Sequence, residues 1–447
     1  MKVIPRVEHL DASVTAPPSK SYSVRALLLG ALAEGTTLVT NCLDADDTRY
    51  ALEAIRTIGF AVDGNFKSGV TIGERVSMSA NEVPLFIGNA GTAMRFLTGI
   101  LAFVPGRFVL DGEQRMRERP IGDLVEVLAK IGAEVEYADR EGFPPLRIRG
   151  KKMRGGFDVE IAADTSSQFA SALMLGGATL PEGITLRLTS VASAPYLDVT
   201  ASILPAFGAS VTRHNEIIRV RGGRLRRDAY AVEGDYSSAS YWFAAAAATR
   251  GTMRVDGLAW PSAQGDAKFL EILQQMGCQI YASGAPHPAF GHPLPASGER
   301  DREAGVRGAT RPILAVEGAE VLRGGTFDCN ATPDLVPTLA AIAPLASEPV
   351  EIVNVANLRV KESDRIATVT EELRRLGARV EERPDSLRIE PGWGSEPVTV
   401  ETHNDHRIAM AFAIAGLARG GVTIKDEQVV SKSYPRFWKT LDEILSR

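Results

Sequence analysis

The chain has 447 residues, 45% hydrophobic and 23% charged, enough to bury more than one core and too ordinary for a disordered, collagen-like or low-complexity protein. Lysine and arginine number 50 against 55 aspartate and glutamate, and the net charge of -5 argues against general attraction to nucleic acid or anionic membrane, so any anion site must be local. Three scattered cysteines (Cys42, Cys278, Cys329) fit neither a disulfide framework nor a thiolate zinc site and suit a reducing cytoplasm, the opening MKVIPRVEHLDAS lacks export or transit character, and the longest apolar run, residues 241–248, falls short of the about 20 residues that a membrane helix needs.

Two helix patterns alternate along the chain. One has a polar or glycine-rich start and an Ala/Leu-rich continuation that is apolar on all faces, as a helix inside a domain requires. It reads PPSKSYSVRALLLGAL, GNAGTAMRFLTGIL, DTSSQFASALMLGG, GDYSSASYWFAAAA, NATPDLVPTLAAIA and HNDHRIAMAFAIAG, and recurs about every 70 residues apart from one longer interval. Between these lie amphipathic helices that stop at Gly59, Gly132, Gly208, Gly277 and Gly377 before a short alternating strand. Each glycine sits where a left-handed residue would end the helix ahead of an edge strand. A last amphipathic helix, WKTLDEILSR, has no strand after it, and MKVIPRV would supply one if the two ends of the sequence meet. The long interval is explained by residues 284–312, rich in Pro, Gly and charge, which read as a mobile surface insertion. Six such units suit two domains of three better than a solenoid, whose repeats are only ~20–45 residues long. The halves divide near Gly234, and the first strand belongs with the second half, which makes residues 16–19 and 232–235 two crossings between lobes.

The helix starts carry the chemistry. Helix N-termini hold unpaired N–H groups and partial positive charge, yet Ser, Asn and Asp there are also ordinary caps. Cations in their company shift the balance: Arg25, Arg95 and Arg407 fall in or near first turns, where the dipole disfavours them unless an anion offsets it. In KESDR, Lys361 and Arg365 are four apart and would repel on a helix without a negative group between them. Arg119 precedes Pro120 and is biased toward extended backbone, which suits a guanidinium reaching into a cleft, whereas Arg115 and Arg117 read as solvated. Asp334 read alone is an N-cap in TPDLVP, and Glu362 an ion pair with Arg365.

The segments PPSKSYSVRALLLGALAEG, GNAGTAMRFLTG, GEQRMRERPIGDLV, TSSQFASALM, EGDYSSASYWFAAAA, VKESDRI, NDHRIAMAFAIAGL and SKSYPRFW, in order over essentially the whole chain, resemble the 5-enolpyruvylshikimate-3-phosphate synthase family of enolpyruvyl transferases. The resemblance implies an α/β fold, a two-lobed inside-out α/β barrel with three βαβαββ units per lobe. Lobe I would comprise residues 1–18 and 235–447, lie on the phosphoenolpyruvate side and carry the 284–312 insertion; lobe II, residues 19–234, would lie on the shikimate 3-phosphate side. It implies transfer of the enolpyruvyl group of phosphoenolpyruvate to the 5-hydroxyl of shikimate 3-phosphate in a cytoplasmic monomer, with no metal, no organic cofactor and no nucleic-acid or membrane partner. Carried over residue by residue, Lys20, Ser21, Arg25, Ser166, Ser167, Gln168, Ser193, Tyr196, Asp334, Asn357 and Lys361 would hold shikimate 3-phosphate. Lys20, Gly91, Arg119, Gln168, Arg365, Arg407 and Lys432 would hold phosphoenolpyruvate. Asp334 would act on the hydroxyl, Glu362 would supply or recover the methyl proton, and Lys20 would protonate or stabilise the bridging oxygen.

Two positions depart from the pattern: Phe96 stands where many members have proline, and Ala194 where some have lysine. The nearest rival, the sister transferase acting on UDP-N-acetylglucosamine, typically uses a cysteine or aspartate in the loop before the RERP-like sequence. DGEQRMRERP has no cysteine. A non-catalytic phospholigand-binding relative is the other alternative. With empty sites, Arg119, Arg365, Arg407 and Lys432 would repel across the cleft, so an open free form is expected.

Overall fold

Parallel strand pairs need a crossover, and the alternation of buried and amphipathic helices supplies it. The computed structural model describes residues 1–163, 166–191, 193–283 and 312–446. In one unit, strand Val83–Phe86 leads through the buried helix Gly91–Leu101 to strand Gly106–Asp111, which pairs with it in parallel. Helix Gly122–Lys130 then leads to the antiparallel strands Glu134–Tyr137 and Leu146–Gly150, the second of which returns beside Gly106–Asp111. The same order recurs around Phe157–Ala163 with Ile184–Val191 and around Gly325–Asp328 with Val350–Val353.

The remaining units borrow strands from distant parts of the chain. Ala229–Ala231 pairs in parallel with Thr37–Thr40, and Asp11–Thr15 with Thr252–Asp256. The sixth sheet consists of Val398–Val400, Val422–Ile424 and Lys2–Ile4, the last antiparallel to its neighbour. MKVIPRV therefore does complete the unit that the last helix leaves short. Lys2 Nζ lies 2.6 Å from the Asp442 carboxylate, which ties the first strand to that helix.

Gly59, Gly132, Gly208, Gly277 and Gly377 all have positive φ, between 82° and 106°, a region where a side chain is strained. The strands that follow them, Phe60–Asn65, Glu134–Tyr137, Ser210–His214, Gln279–Ser283 and Val380–Glu382, each lie at a sheet edge. Turn chemistry and edge position are thus coupled in five of the units.

Two hydrophobic cores form. One runs from Tyr22 to Val232 and includes helices Lys20–Leu32, Gly91–Leu101 and Ser167–Gly177. The other takes Ile4, strand Asp11–Thr15 and residues from Tyr236 to Ile444, including helices Tyr236–Thr249, Val336–Ile342 and His406–Arg419. Helices lie inside and sheets outside, giving the two-lobed inside-out α/β barrel. The chain passes between the cores twice, and the two passages are pinned together. Ser19 N–H donates to the Glu233 carbonyl and Asp235 N–H to the Pro17 carbonyl, each at 2.8 Å. The buried Gln264 amide donates to the Gly234 carbonyl at 2.7 Å and accepts from Tyr236 N–H at 3.1 Å. Lys20 follows directly on this junction.

The insertion lies outside the described residues, apart from Pro312. Its flanking strands Gln279–Ser283 and Ile313–Glu317 pair antiparallel with Ser283 opposite Ile313, so it joins the two strands of a hairpin.

Candidate active site

The polar ends of the buried helices are joined by a continuous lattice of charges. Asp334 does not cap a helix: it lies in the single turn Pro333–Leu335 ahead of helix Val336–Ile342, a start shaped by Pro333 and Pro337, and its carboxylate is free for other partners. One oxygen meets Arg365 at 2.9 Å, and the other meets Arg407 at 2.6 Å and accepts from the Tyr196 hydroxyl at 2.9 Å. That last bond crosses from one lobe to the other. Arg365, the first residue of helix Arg365–Arg375, also reaches Glu362 at 2.9 Å and Asp405 at 2.8 Å. Asp405 caps helix His406–Arg419 through Arg407 N–H. Glu362 faces Arg119 across the cleft at 3.9 Å.

On the opposite side, the Arg119 guanidinium approaches Asn89, and Lys432 Nζ donates to the Asn89 carbonyl at 2.6 Å. Lys432 and Lys20 share Asp47, at 3.2 and 3.1 Å. A Cβ on Gly91 would stand 2.7 Å from the Arg119 guanidinium, so the glycine keeps that approach clear. Gln168 donates to Thr92 Oγ1 at 3.2 Å, and Ser166 and Ser167 precede it at the same helix start, where Ser166 is the cap. Asn357 donates to Ser193 Oγ at 3.1 Å, a second polar bridge between lobes, while its own buried Oδ1 has no partner among the described residues.

Arg25 is buried and bonded to neutral oxygens: Thr200 Oγ1 at 2.9 Å, the Ser21 carbonyl at 2.9 Å and the Tyr196 carbonyl at 3.2 Å. Its guanidinium stands 4.6 Å from the centre of the Phe96 ring. The unusual Phe96 is thus a cation-π platform beneath Arg25, rather than mere filling behind Gly91. Ala194 lies between Ser193 and Tyr196, both of which keep their bonds across the cleft.

Protonation follows from this wiring. Burial would raise the Asp334 carboxyl, but Arg407 and Arg365 outweigh it and hold the group well below the usual carboxylate range. Glu362 is likewise lowered, burial being overcome by Arg365 and Arg119. Burial disfavours charge on Lys20, yet Asp47 and Glu362 raise its pKa, whereas burial leaves that of Lys361 lowered. Burial also pushes Arg25 down to about 10 and Arg95 well below its ordinary value.

One expectation needs correction. Arg115 is not merely solvated: it donates to the Lys361 carbonyl at 2.9 Å and the Glu362 carbonyl at 3.2 Å, both on the other lobe. Arg117 is exposed, as expected, and is held bidentately by Asp111. The lobes touch directly across the cleft, where Asp47, Asp334, Glu362 and Asp405 stand among the cations.

Sequence reasoning missed Asp47, Asp405 and Asp266. Asp47 looks like any acidic first-turn residue in DADDTRY, and Asp405 like a cap. Asp266, buried beside Ser237 and near Asp334, is raised to about 7 by burial and then by the Asp334 charge. Glu371, Glu372 and His403 bring three potential metal ligands together, but Arg375 already reaches both carboxylates, at 2.7 and 3.5 Å.

Residues 4–441 match the family described as EPSP synthase (3-phosphoshikimate 1-carboxyvinyltransferase). The chain belongs to that family. It is 40% identical over 438 residues to the 3-phosphoshikimate 1-carboxyvinyltransferase of Methanoculleus marisnigri, covering 97% of this chain and 96% of the relative. It is 39% identical over 439 residues to that of Yersinia pestis, covering 96% and 95%. An EPSP synthase structure from Acinetobacter baumannii superposes with a TM-score of 0.79 at 28% identity, covering 99% of this chain and 97% of that one. The enolpyruvyl transferase NikO from Streptomyces tendae shares the fold, with a TM-score of 0.73 at 17% identity over 99% and 96% of the two chains. This EPSP synthase family member is an enolpyruvyl transferase of aromatic amino-acid biosynthesis, moving the carboxyvinyl group of phosphoenolpyruvate to shikimate 3-phosphate; UDP-N-acetylglucosamine is not the favoured acceptor.

Proposed function

We propose that the transfer runs between Asp334 and Glu362, and the observation that carries this reading is Arg365, one guanidinium bonded to both carboxylates at 2.9 Å. Asp334, ionised, takes the proton of the 5-hydroxyl as that oxygen bonds to carbon 2 of phosphoenolpyruvate, and carbon 3 gains a proton. In the reverse half, carbon 3 loses a proton, the bond from carbon 2 to the phosphate oxygen breaks, and inorganic phosphate leaves. Glu362 handles the proton at carbon 3. Its lowered pKa makes it a poor acid in the bare lattice, but an arriving dianion would offset Arg119, Arg365 and Lys432, which now hold it ionised, and so draw it toward the protonated form. Lys20, next to both sets of residues, stabilises or protonates the bridging oxygen.

Lys20, Gly91, Arg119, Gln168, Arg365, Arg407 and Lys432 form the phosphoenolpyruvate site in this reading. Ser21, Arg25, Ser166, Ser167, Gln168, Ser193, Tyr196, Asn357 and Lys361 hold shikimate 3-phosphate with Lys20 and Asp334. Residues 19–234 would then be the shikimate 3-phosphate lobe, and residues 1–18 with 235–447 the phosphoenolpyruvate lobe. Because all these groups come from one chain, a cytoplasmic monomer suffices. Phosphate release with phosphoenolpyruvate plus shikimate 3-phosphate, and none with UDP-N-acetylglucosamine, is the expected result. Release with the nucleotide sugar alone would overturn the reading.

A further inference from the structure

The segment from Lys361 to Ser363 stands between a short turn, residues 356–360, and the helix that begins at Arg365, and it has no regular structure of its own. Such a stretch holds a side chain poorly unless something else fixes its backbone. Across the cleft, Arg115 opens the turn Met116–Glu118 in the other lobe. Its Nη2 donates to the Lys361 carbonyl at 2.9 Å, and its Nε to the Glu362 carbonyl at 3.2 Å. Glu118, three residues on, meets the remaining arm of the fork at 3.2 Å and so sets its plane. The same turn leads into Arg119, which faces the Glu362 carboxylate at 3.9 Å. One element of one lobe thus reaches both the backbone and the side chain of a single residue in the other.

We propose that Arg115 is a positioning residue: on closure, its fork spans the Lys361 and Glu362 carbonyls and fixes the segment that carries Glu362, so that closing the lobes and aligning the proton-handling carboxylate become one event. The proposal rests on the reading of Glu362 given above. A lysine has charge but no planar fork, so it cannot span two successive carbonyls in this way. Loss of alignment, rather than loss of contact with substrate, is the expected defect, and misplacement by about 1 Å costs on the order of a hundredfold in rate.

The test compares Arg115→Met, Arg115→Lys and, as a control of equal charge in the same segment, Arg117→Met. Arg115→Met and Arg115→Lys should both lower kcat by about tenfold to a hundredfold with smaller changes in KM, while Arg117→Met stays within about twofold of the parent. Thermal melting identifies any variant that fails to fold, and Arg115→Lys then carries the comparison. In an Glu362→Gln background, Arg115→Met should slow the residual single-turnover rate by less than about threefold, because the group it aligns is already gone. A full additive loss there, full activity of Arg115→Lys, or an unchanged kcat in Arg115→Met would each overturn the proposal. Failure of the Glu362 reading shows separately: Glu362→Gln alone would then keep its turnover, and the proposal would fall with it.

Discussion

Arg25 and Arg365 are both buried to 1% exposure in early helix positions on opposite sides of the cleft, and they are satisfied in opposite ways. Arg365 is held by three carboxylates, and their charge raises its pKa despite burial. Arg25 is held by a hydroxyl, two carbonyls and an aromatic face, and burial lowers it. Burying a cation without a counter-charge is costly, so a site that does so keeps its attraction for an anion from outside. The half around Arg365 spends its cations on aligning the protein's own acids. The half around Arg25 leaves its positive charge without a carboxylate partner among the described residues, and in the proposed reading it meets shikimate 3-phosphate.

The largest effects should come from breaking the self-neutralised half. Glu362→Gln and Asp334→Asn should each lower turnover by about 10²–10⁴-fold. Exchange of solvent deuterium into the methylene of phosphoenolpyruvate, measured with an analogue lacking the 5-hydroxyl, should be weaker in Glu362→Gln than in Asp334→Asn; the opposite order would exchange their roles. Lys20→Met should lose far more turnover than Arg117→Met. Stability should then separate the two arginines. Arg365→Met leaves carboxylates buried without their partner and should cost about 3–5 kcal/mol, whereas Arg25→Met removes an uncompensated cation and should stay within about 1 kcal/mol while weakening shikimate 3-phosphate binding. Denaturant titration of both variants settles the contrast, and equal losses would erase it.

Phosphate sharpens the same contrast. Inorganic phosphate at about 100 times its Kd should raise the stability of the parent by about 2.7 kcal/mol, and that gain should largely vanish in Arg25→Met. Asp266 adds a pH-dependent test. Its folded pKa, raised to about 7 from 3.8, means the native state holds an extra proton between those values. Its contribution to stability is therefore full below about pH 4 and is lost as pH rises through 7. Melting temperatures of Asp266→Asn minus the parent should grow across that window and then level off. A difference that shrinks with rising pH would mean Asp266 is ionised in the fold at all these values.

Much of this was legible because it depends on local rules. The five glycines mark helix ends by backbone conformation alone, and the two helix patterns repeat often enough to reveal six units. Even the borrowed first strand was visible as a missing piece. Asp334, Glu362, Arg365, Arg407, Arg119, Lys20 and Lys432 fall on one lattice because the helix starts converge. Asp47, Asp405 and the grip of Arg115 were not legible, since an acidic first turn, a capping aspartate and a solvated arginine look the same in sequence whether or not a second lobe packs over them. The same holds for the charge balance of the cleft: counting cations along the chain does not show which carboxylates fold in among them.

The pairing of Lys2–Ile4 with Val422–Ile424 has a consequence for synthesis. The core that ends at Val232 can form as soon as Ala229–Ala231 has emerged, but the first strand must wait for a partner more than 400 residues downstream. At about 5–20 residues per second, that wait is roughly 20–80 s. Strand Lys2–Ile4 stays unpaired throughout, whereas Asp11–Thr15 waits only for Thr252–Asp256, about 240 residues downstream. The half that houses Asp334 and Glu362 is thus made after the other, and the charge lattice is incomplete until Lys432 has emerged.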